Sequence, residues 1–408
     1  MVVSKHYDWE NGAEIKPHSR IKLEIFDEYL REYVQVRCGL PQQERFRLSV
    51  VDGFCGAGLY TCSTLGSPLV ILKALSEISN EVNIRRRIEG FKPISFQYFL
   101  YFNDIDPQAI ASLRTRVKLL LEEIKDTGND ASFHVEFFVG DFRSNLPEIS
   151  QRLLSTKVRN SIFNLDQYGH ADVPEHSLRH VLSLTKSAEV FLTFSIKAFL
   201  AFLNPKELQK SRIFDGKISE VSLNNTKKAW LADVERLVFN EFQSLAPFVS
   251  PFSINNDKGW EYWLVHFAQA YRARQVYNDI LHRKQNSQAH VGRSGLDMLR
   301  YSSEDETMSY MFDAESRQNA RTQLLGDIPK YLSDDVSDKT ITVQDFYERT
   351  YNQTPAHSDD INGALIKSGD LEILTSHGGK RRKAQMIRKT DIIRLAPQRT
   401  FHFGAELN

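Results

Sequence analysis

The chain has 408 residues with 52 basic and 52 acidic side chains, 41% hydrophobic and 25% charged, enough for a sizeable core and two or more domains. Zero formal net charge excludes a uniformly basic coat for nucleic acid but leaves room for a local basic site. No stretch approaches the roughly 20 apolar residues of a membrane span, the first residues carry no apolar h-region, and Cys38, Cys55 and Cys62 form no paired CxxC site, so the expectation is a cytoplasmic chain without disulfides.

Residues Arg20–Arg37 read as an amphipathic helix with Ile21, Ile25, Tyr29 and Tyr33 on one face. The β-branched run Phe46–Asp52 predicts a strand, followed by a glycine-rich loop and a helix entered at Ser67-Pro68, with Ser67 as its N-cap. Four more strands are predicted: Phe96–Phe102, ending in Asn103-Asp104-Ile105-Asp106-Pro107; Val135–Val139, ending in Gly140-Asp141; Ser161–Leu165, ending in Asp166-Gln167-Tyr168-Gly169; and Glu189–Phe194. A helix from Gln108 to Lys125 lies between the second and third. Trp260–Phe267 is expected as a later edge strand, and a polar insertion near Glu77–Pro93 is expected to separate the first two strands.

Strands alternating with helices imply a doubly wound, mostly parallel α/β sheet. Each of the first four strands ends in a loop with an acidic residue, at the edge where open α/β sheets bind ligands. Three domains are read: 1–282, a polar helical connector over 283–338 with helical signals at Asp313–Leu325, and 339–408. In the last, helices at Val343–Tyr351 and Ser358–Lys367, the latter capped by Ser358, precede a hairpin formed by Leu371–Leu374 and Ala384–Arg388. Its tip carries Lys380, Arg381, Arg382 and Lys383. Helix, helix, hairpin is the order of a winged helix-turn-helix, and the basic tip is the candidate nucleic-acid contact.

The loop Asp52-Gly53-Phe54-Cys55-Gly56-Ala57-Gly58 has the form D-x-F-x-G-x-G. Glycine lets backbone approach a ligand, but the spacing G-x-x-G-x-G is not the dinucleotide fingerprint G-x-G-x-x-G, which argues against a nicotinamide oxidoreductase. The loop resembles motif I of class I S-adenosylmethionine (SAM) methyltransferases, in the form found in nucleic-acid methyltransferases. That resemblance implies a Rossmann-like fold, SAM as cofactor, and a cofactor site of Asp52, Phe54, Gly56, Gly58, Asp104 and Asp141. The glycines would admit the methionine part, and Asp52 would lie near its ammonium. Asp104, ahead of Asp106, would take the ribose hydroxyls, because a carboxylate is a bidentate acceptor. Asp141 would meet the adenine amine, unless it only caps a helix. At the fourth strand end, amino-methyltransferases read [DNS]-P-P-[YF]. Asp166 and Tyr168 supply the acid and the aromatic, and both prolines are missing. Asp166 would then orient a target amine and Tyr168 would stack on a flipped base.

His18 and Lys22 one turn apart, Val51–Tyr60, Gly66-Ser67-Pro68-Leu69 and Asp166-Gln167-Tyr168-Gly169 together resemble the three-Cys-motif partner (TcmP) family. The family pairs a methyltransferase-like domain with a small winged-helix tail. The resemblance implies a radical-SAM partner protein as well as DNA or RNA, and Cys55 and Gln167 depart from the family pattern. The rival reading is a non-catalytic SAM- or nucleic-acid-binding subunit of a radical-SAM or defence-type assembly. No side-chain cluster in the sequence calls for a metal, and a catalytic Cys55 is disfavoured because no P-C loop follows the fourth strand.

Overall fold

The computed structural model describes residues 13–167, 172–195, 239–240, 242–255, 262–298 and 309–397. They form two compact units, 1–290 and 291–408.

The first unit opens with helix α1 (Pro17–Arg37) and then alternates: β1 (Arg45–Asp52), α2 (Ser67–Ile88), β2 (Ser95–Asp104), α3 (Pro107–Asp126), β3 (Ser132–Val139), α4 (Phe142–Ser155), β4 (Asn160–Leu165), α5 (Glu175–Ser183) and β5 (Ser187–Ser195). It continues with β6 (Phe248–Ile254), β7 (Tyr262–Ala268), α6 (Tyr271–Arg283) and β8 (Gln288–Val291). The strands lie in the order β3-β2-β1-β4-β5-β7-β6-β8. Strands β1 to β5 are mutually parallel, and β7 runs antiparallel to both β5 and β6. Helices cover such a sheet on both faces, so its central strands read as continuous apolar runs rather than alternating ones; Val50, Val51, Ile162, Phe163, Leu165 and Val190 are fully buried.

Strand order reverses between β1, which leads outward to β2 and β3, and β4, which leads to β5 and beyond. A parallel sheet leaves a crevice at such a switch point, outside the carboxyl ends of the strands. Helix α1 packs against α2 and α6. Beneath it, Tyr29 and His266 both hydrogen-bond the buried Glu189, the latter at 3.2 Å, so the carboxylate is paired rather than left alone in the core.

Three expectations are corrected here. The segment near Glu77–Pro93 is no polar insertion: the 22-residue helix α2 continues through it to Ile88 and buries Ile78, Val82, Asn83 and Arg86. Helix α2 is capped by Gly66 rather than Ser67. The strand expected at Trp260–Phe267 is an interior strand, β7, between β5 and β6; Trp260 itself lies outside the described residues. Its neighbour β6 carries Pro251, a residue without an N–H that weakens a strand reading in sequence.

The second unit contains β9 (Ser309–Tyr310), α7 (Ala314–Asp335), β10 (Thr340–Thr342), α8 (Val343–Thr350), α9 (Ser358–Lys367), β11 (Leu371–Leu374) and β12 (Ile392–Leu395). Asp313 caps α7 by accepting the Ser316 N–H at 2.8 Å, and Thr342 caps α8 through the Asp345 N–H at 3.0 Å. Helix α9 is capped by His357, whose Nδ1 accepts the Asp359 N–H at 3.0 Å, and not by Ser358. Strands β10, β11 and β12 form an antiparallel sheet in the order β10-β12-β11, with Ile393 opposite both Ile341 and Ile373. Leu324, Ile328, Phe346, Ile361, Leu365 and Ile393 make its core. This is a winged helix-turn-helix.

The polar stretch read as a connector over 283–338 is divided differently. Its helix α7 packs on α9, so α7 is part of the winged-helix unit. The partner of β11 is β12, and Ala384–Met386 is a 3-10 turn instead of the second hairpin strand.

Candidate functional site

Asp52 ends β1, and the loop after it is sewn to both neighbouring strands. The Gly53 N–H donates to the Asn164 carbonyl of β4 at 3.0 Å, and the Cys55 N–H to the Asn103 carbonyl of β2 at 2.9 Å. Gly58 has φ +81°, and a Cβ there would lie 2.6 Å from Leu113 Cδ1, so both backbone conformation and space require glycine. The Gly66 N–H closes the loop on the Gly58 carbonyl at 2.8 Å. The Arg116 guanidinium donates to the Ala57 carbonyl. Phe54 sits 5.8 Å from the Phe142 ring.

Asp104, at the end of β2, is the latch of this loop. Its Oδ2 accepts the Gly56 N–H at 2.7 Å and its Oδ1 accepts the Asp106 N–H at 2.9 Å. Asp106 instead caps α3, accepting the Gln108 N–H at 2.8 Å. Asp141 caps α4 through the Ser144 N–H at 3.1 Å, and Arg143 stands 3.6 Å away. Asn103 joins three strand ends: its amide donates to the Gly53 and Gly140 carbonyls at 3.0 and 3.2 Å, while its Oδ1 accepts from Asn145 at 2.8 Å.

Asp52 is fully buried. The Phe54 N–H approaches Oδ1 at 3.4 Å, and Ser67 and Asn164 lie close enough to act on the carboxyl by hydrogen bonding. Burial pushes its carboxyl up to about 7 against hydrogen bonds from Ser67, Phe54 and Asn164 that lower it, and the negative charge of Asp166 adds to the rise. The same surroundings make Cys55 inert. Burial raises its thiol well above the usual range, with the charges of Asp52 and Asp104 acting in the same direction.

Asp166, at the end of β4, is ion-paired with Lys22 of α1. Lys22 is itself buried and also donates to Thr193 Oγ1 of β5 at 3.3 Å. Burial alone would raise the Asp166 carboxyl, but the charge and hydrogen bond of Lys22, aided by Thr193, hold it below the usual range. Its side chain is still 38% exposed, which leaves an edge open to a ligand. His18 stacks on Tyr262, at the start of β7, at 4.6 Å, and its charge adds to the lowering of the Asp166 carboxyl. Gln167, beside Asp166, is folded inward: its Oε1 accepts the Val173 N–H at 2.9 Å, and its buried Nε2 has no partner. Tyr168 lies outside the described residues.

The structure thus brings Asp52, Gly56, Gly58 and Asp104 into one hydrogen-bonded loop, and places Asp141 and Asp166 at the same sheet edge. Sequence reasoning missed Asn103 and Thr193. A polar residue next to a strand-end acid marks Asn103; Thr193 sits within an apolar strand, and only strand register shows its role. Among the described residues no group of His, Cys, Asp or Glu is placed to hold a metal ion, and no helix is long and apolar enough to cross a membrane.

In the second unit the four expected nucleic-acid contacts separate into two pairs. Arg381 makes a two-pronged ion pair with the buried Asp391, at 2.8 and 3.0 Å, and Lys380 reaches Glu372 at 3.2 Å. Arg382 and Lys383 are exposed.

Residues 300–378 match the family model described as the GMT-like wHTH domain. No curated protein matches the chain.

Proposed function

We propose that the first unit binds SAM at the carboxyl ends of β1, β2 and β3 and methylates nucleic acid at an exocyclic base amine, and that the winged-helix unit binds nucleic acid. The observation that carries this reading is the fully buried carboxyl of Asp52 at the end of β1, beside a glycine loop with Asp104, Asp141 and Asp166 at the same sheet edge. Carboxylates at these strand ends suit a ligand bearing a sulfonium and an ammonium better than the pyrophosphate of a dinucleotide, which such loops otherwise bind at a helix N-terminus.

Asp104 stands at the end of β2 beside the loop, and a carboxylate is the bidentate acceptor that a ribose diol calls for. When bound, SAM supplies an electrophilic methyl group on sulfur. Asp166 accepts a hydrogen bond from the N–H of the target amine, and Lys22 keeps it ionised, so it serves as an acceptor and positioner instead of a base. Tyr168 stacks on the base. Positioning of this kind supplies most of the catalysis in a direct displacement.

Isotope-labelled methyl transfer to mixed DNA and RNA pools, read by nucleoside mass spectrometry, tests the reading. We expect label on base nitrogen, and Asp166→Ala to bind SAM normally while losing transfer. Absence of SAM binding by calorimetry would overturn it. The second reading, a non-catalytic subunit that partners a radical-SAM enzyme, is favoured by the engagement of Asp166 with Lys22 and by the inward fold of Gln167 where the family has proline. SAM binding without transfer to any pool would select it.

A further inference from the structure

The segment between β11 and β12 is a folded loop with a defined scaffold. Asp391 closes its base. Its carboxylate takes the Arg381 guanidinium on one leg and the Arg388 N–H at 2.8 Å on the other, and its own N–H returns to the Arg388 carbonyl at 2.9 Å. Inside this clip, Ala384–Met386 forms a 3-10 turn that packs against α9. The clip leaves Arg382, Lys383, Arg388 and Lys389 exposed, and among the described residues no ion pair engages their side chains. Between them stands Met386, 51% exposed. Four exposed cations around an exposed apolar side chain match a phosphate-lined groove. The cations meet phosphates while an apolar residue touches sugar or base edges.

The neighbouring helix is poorly suited to reading bases. The exposed residue at the N-terminus of α9 is Asp359, which repels phosphate. Asn362 is engaged from within, accepting from the Tyr347 hydroxyl at 2.9 Å. Asp360 is buried against Arg317 and Arg321. Gly363 has no side chain, and Lys367 is the one basic residue of the helix. None of these is a free Arg, Asn or Gln placed for the paired hydrogen bonds that distinguish purines.

We infer that this unit grips the phosphate backbone of a nucleic-acid duplex through the clipped loop 382–389, without sequence preference, and that α9 is not its reading helix. The inference rests on the nucleic-acid part of the proposed function and deepens it. Arg381 is a positioning residue within the clip and not a phosphate contact.

The test uses the full chain and fluorescence anisotropy on short DNA and RNA duplexes of randomised sequence, titrated with salt. The variant R382Q/K383Q/R388Q/K389Q should lower the slope of log K against log salt by about 3–4 units, a little under one per lost contact. Its melting temperature should be unchanged. Loss on either duplex supports the proposal and says which nucleic acid supplies the backbone. G363A/K367Q on α9 should bind within about twofold of wild type, since nothing lies within 4 Å of a Cβ at Gly363. If the loop variant keeps its slope while the α9 variant loses binding, the loop assignment is overturned. The same holds if one sequence is preferred by the thousandfold or more typical of specific readers. If wild type binds neither duplex, the nucleic-acid reading of the whole protein falls with it.

Discussion

At the scale of single residues the candidate site turns on two carboxylates in opposite states. Asp166 is held ionised by Lys22, while Asp52 resists ionisation until about pH 7. An unfolded Asp loses its proton near pH 3.9, so between about pH 4 and 7 the native chain binds the extra proton at Asp52. Stability from this group is therefore full below about pH 4 and is lost as pH rises through 7. Asp52→Asn keeps the shape and removes the titration. We expect the variant to gain on wild type as pH rises from 5 to 8, by on the order of 2–4 kcal/mol; a melting-temperature difference constant across that range would contradict the assignment. Lys22→Met should do the converse to Asp166. It leaves the carboxylate without its counter-ion, so any transfer activity should fall and its acid limb should move to higher pH, with Lys22→Arg restoring much of both. An acid limb that stays in place would show that Lys22 acts only in packing. Asp104→Ala is a blunter tool, because it also strips partners from the Gly56 and Asp106 N–H groups, each worth about 1–3 kcal/mol if left unmade.

At the scale of elements, the glycine loop shows what a sequence reveals and what it hides. The strand–loop–helix order and the acids at four strand ends are visible because apolar runs, glycines and carboxylates are local features. The latch is not, because Asp104 reaches Gly56 across 48 positions in sequence. The same limit applies to the wing. Its basic run is plain in the sequence, but the neutralisation of Arg381 depends on Asp391, beyond a turn that resembles a strand by its residues. Strand β6 is hidden by Pro251, which a β ladder tolerates where its missing N–H is not needed. The loop itself can be tested. Gly58→Ala would force a left-handed φ on alanine and drive its Cβ toward Leu113, so we expect a loss of about 1–3 kcal/mol and a weakened SAM site. A variant as stable as wild type in urea would mean that the loop relaxes and that the observed φ is not obligatory.

At the scale of the whole molecule the two units are built on different electrostatic plans. The first gathers acids at one sheet edge and buries Asp52 without a cationic partner among the groups that shift it; the second satisfies its buried acids with arginine. Asp360 of α9 takes the Arg317 guanidinium at 2.7 and 3.0 Å and Arg321 at 2.7 Å, tying α7 to α9. Burial would raise the Asp360 carboxyl, but these hydrogen bonds and charges hold it below the usual value, and Arg381 does the same for Asp391. For both groups the folded value is depressed. Their contribution is therefore complete above about pH 4, the unfolded value, and disappears as pH falls through the folded one. Acid should thus loosen the winged-helix unit below about pH 4, where protonation of Asp52 has already relieved the first unit. Amide hydrogen exchange resolves the units separately. We expect protection in α7 and α9 to fall with acid, and Asp360→Asn to reproduce that loss at pH 7. Removing one partner of a fully buried pair costs about 3–5 kcal/mol. Both arginines here are partly in solvent, which screens the pair, so a loss nearer 2 kcal/mol is expected. Protection of α7 that is unmoved in Asp360→Asn would mean that the apolar contacts of Leu324 and Ile328 alone hold the helix in place.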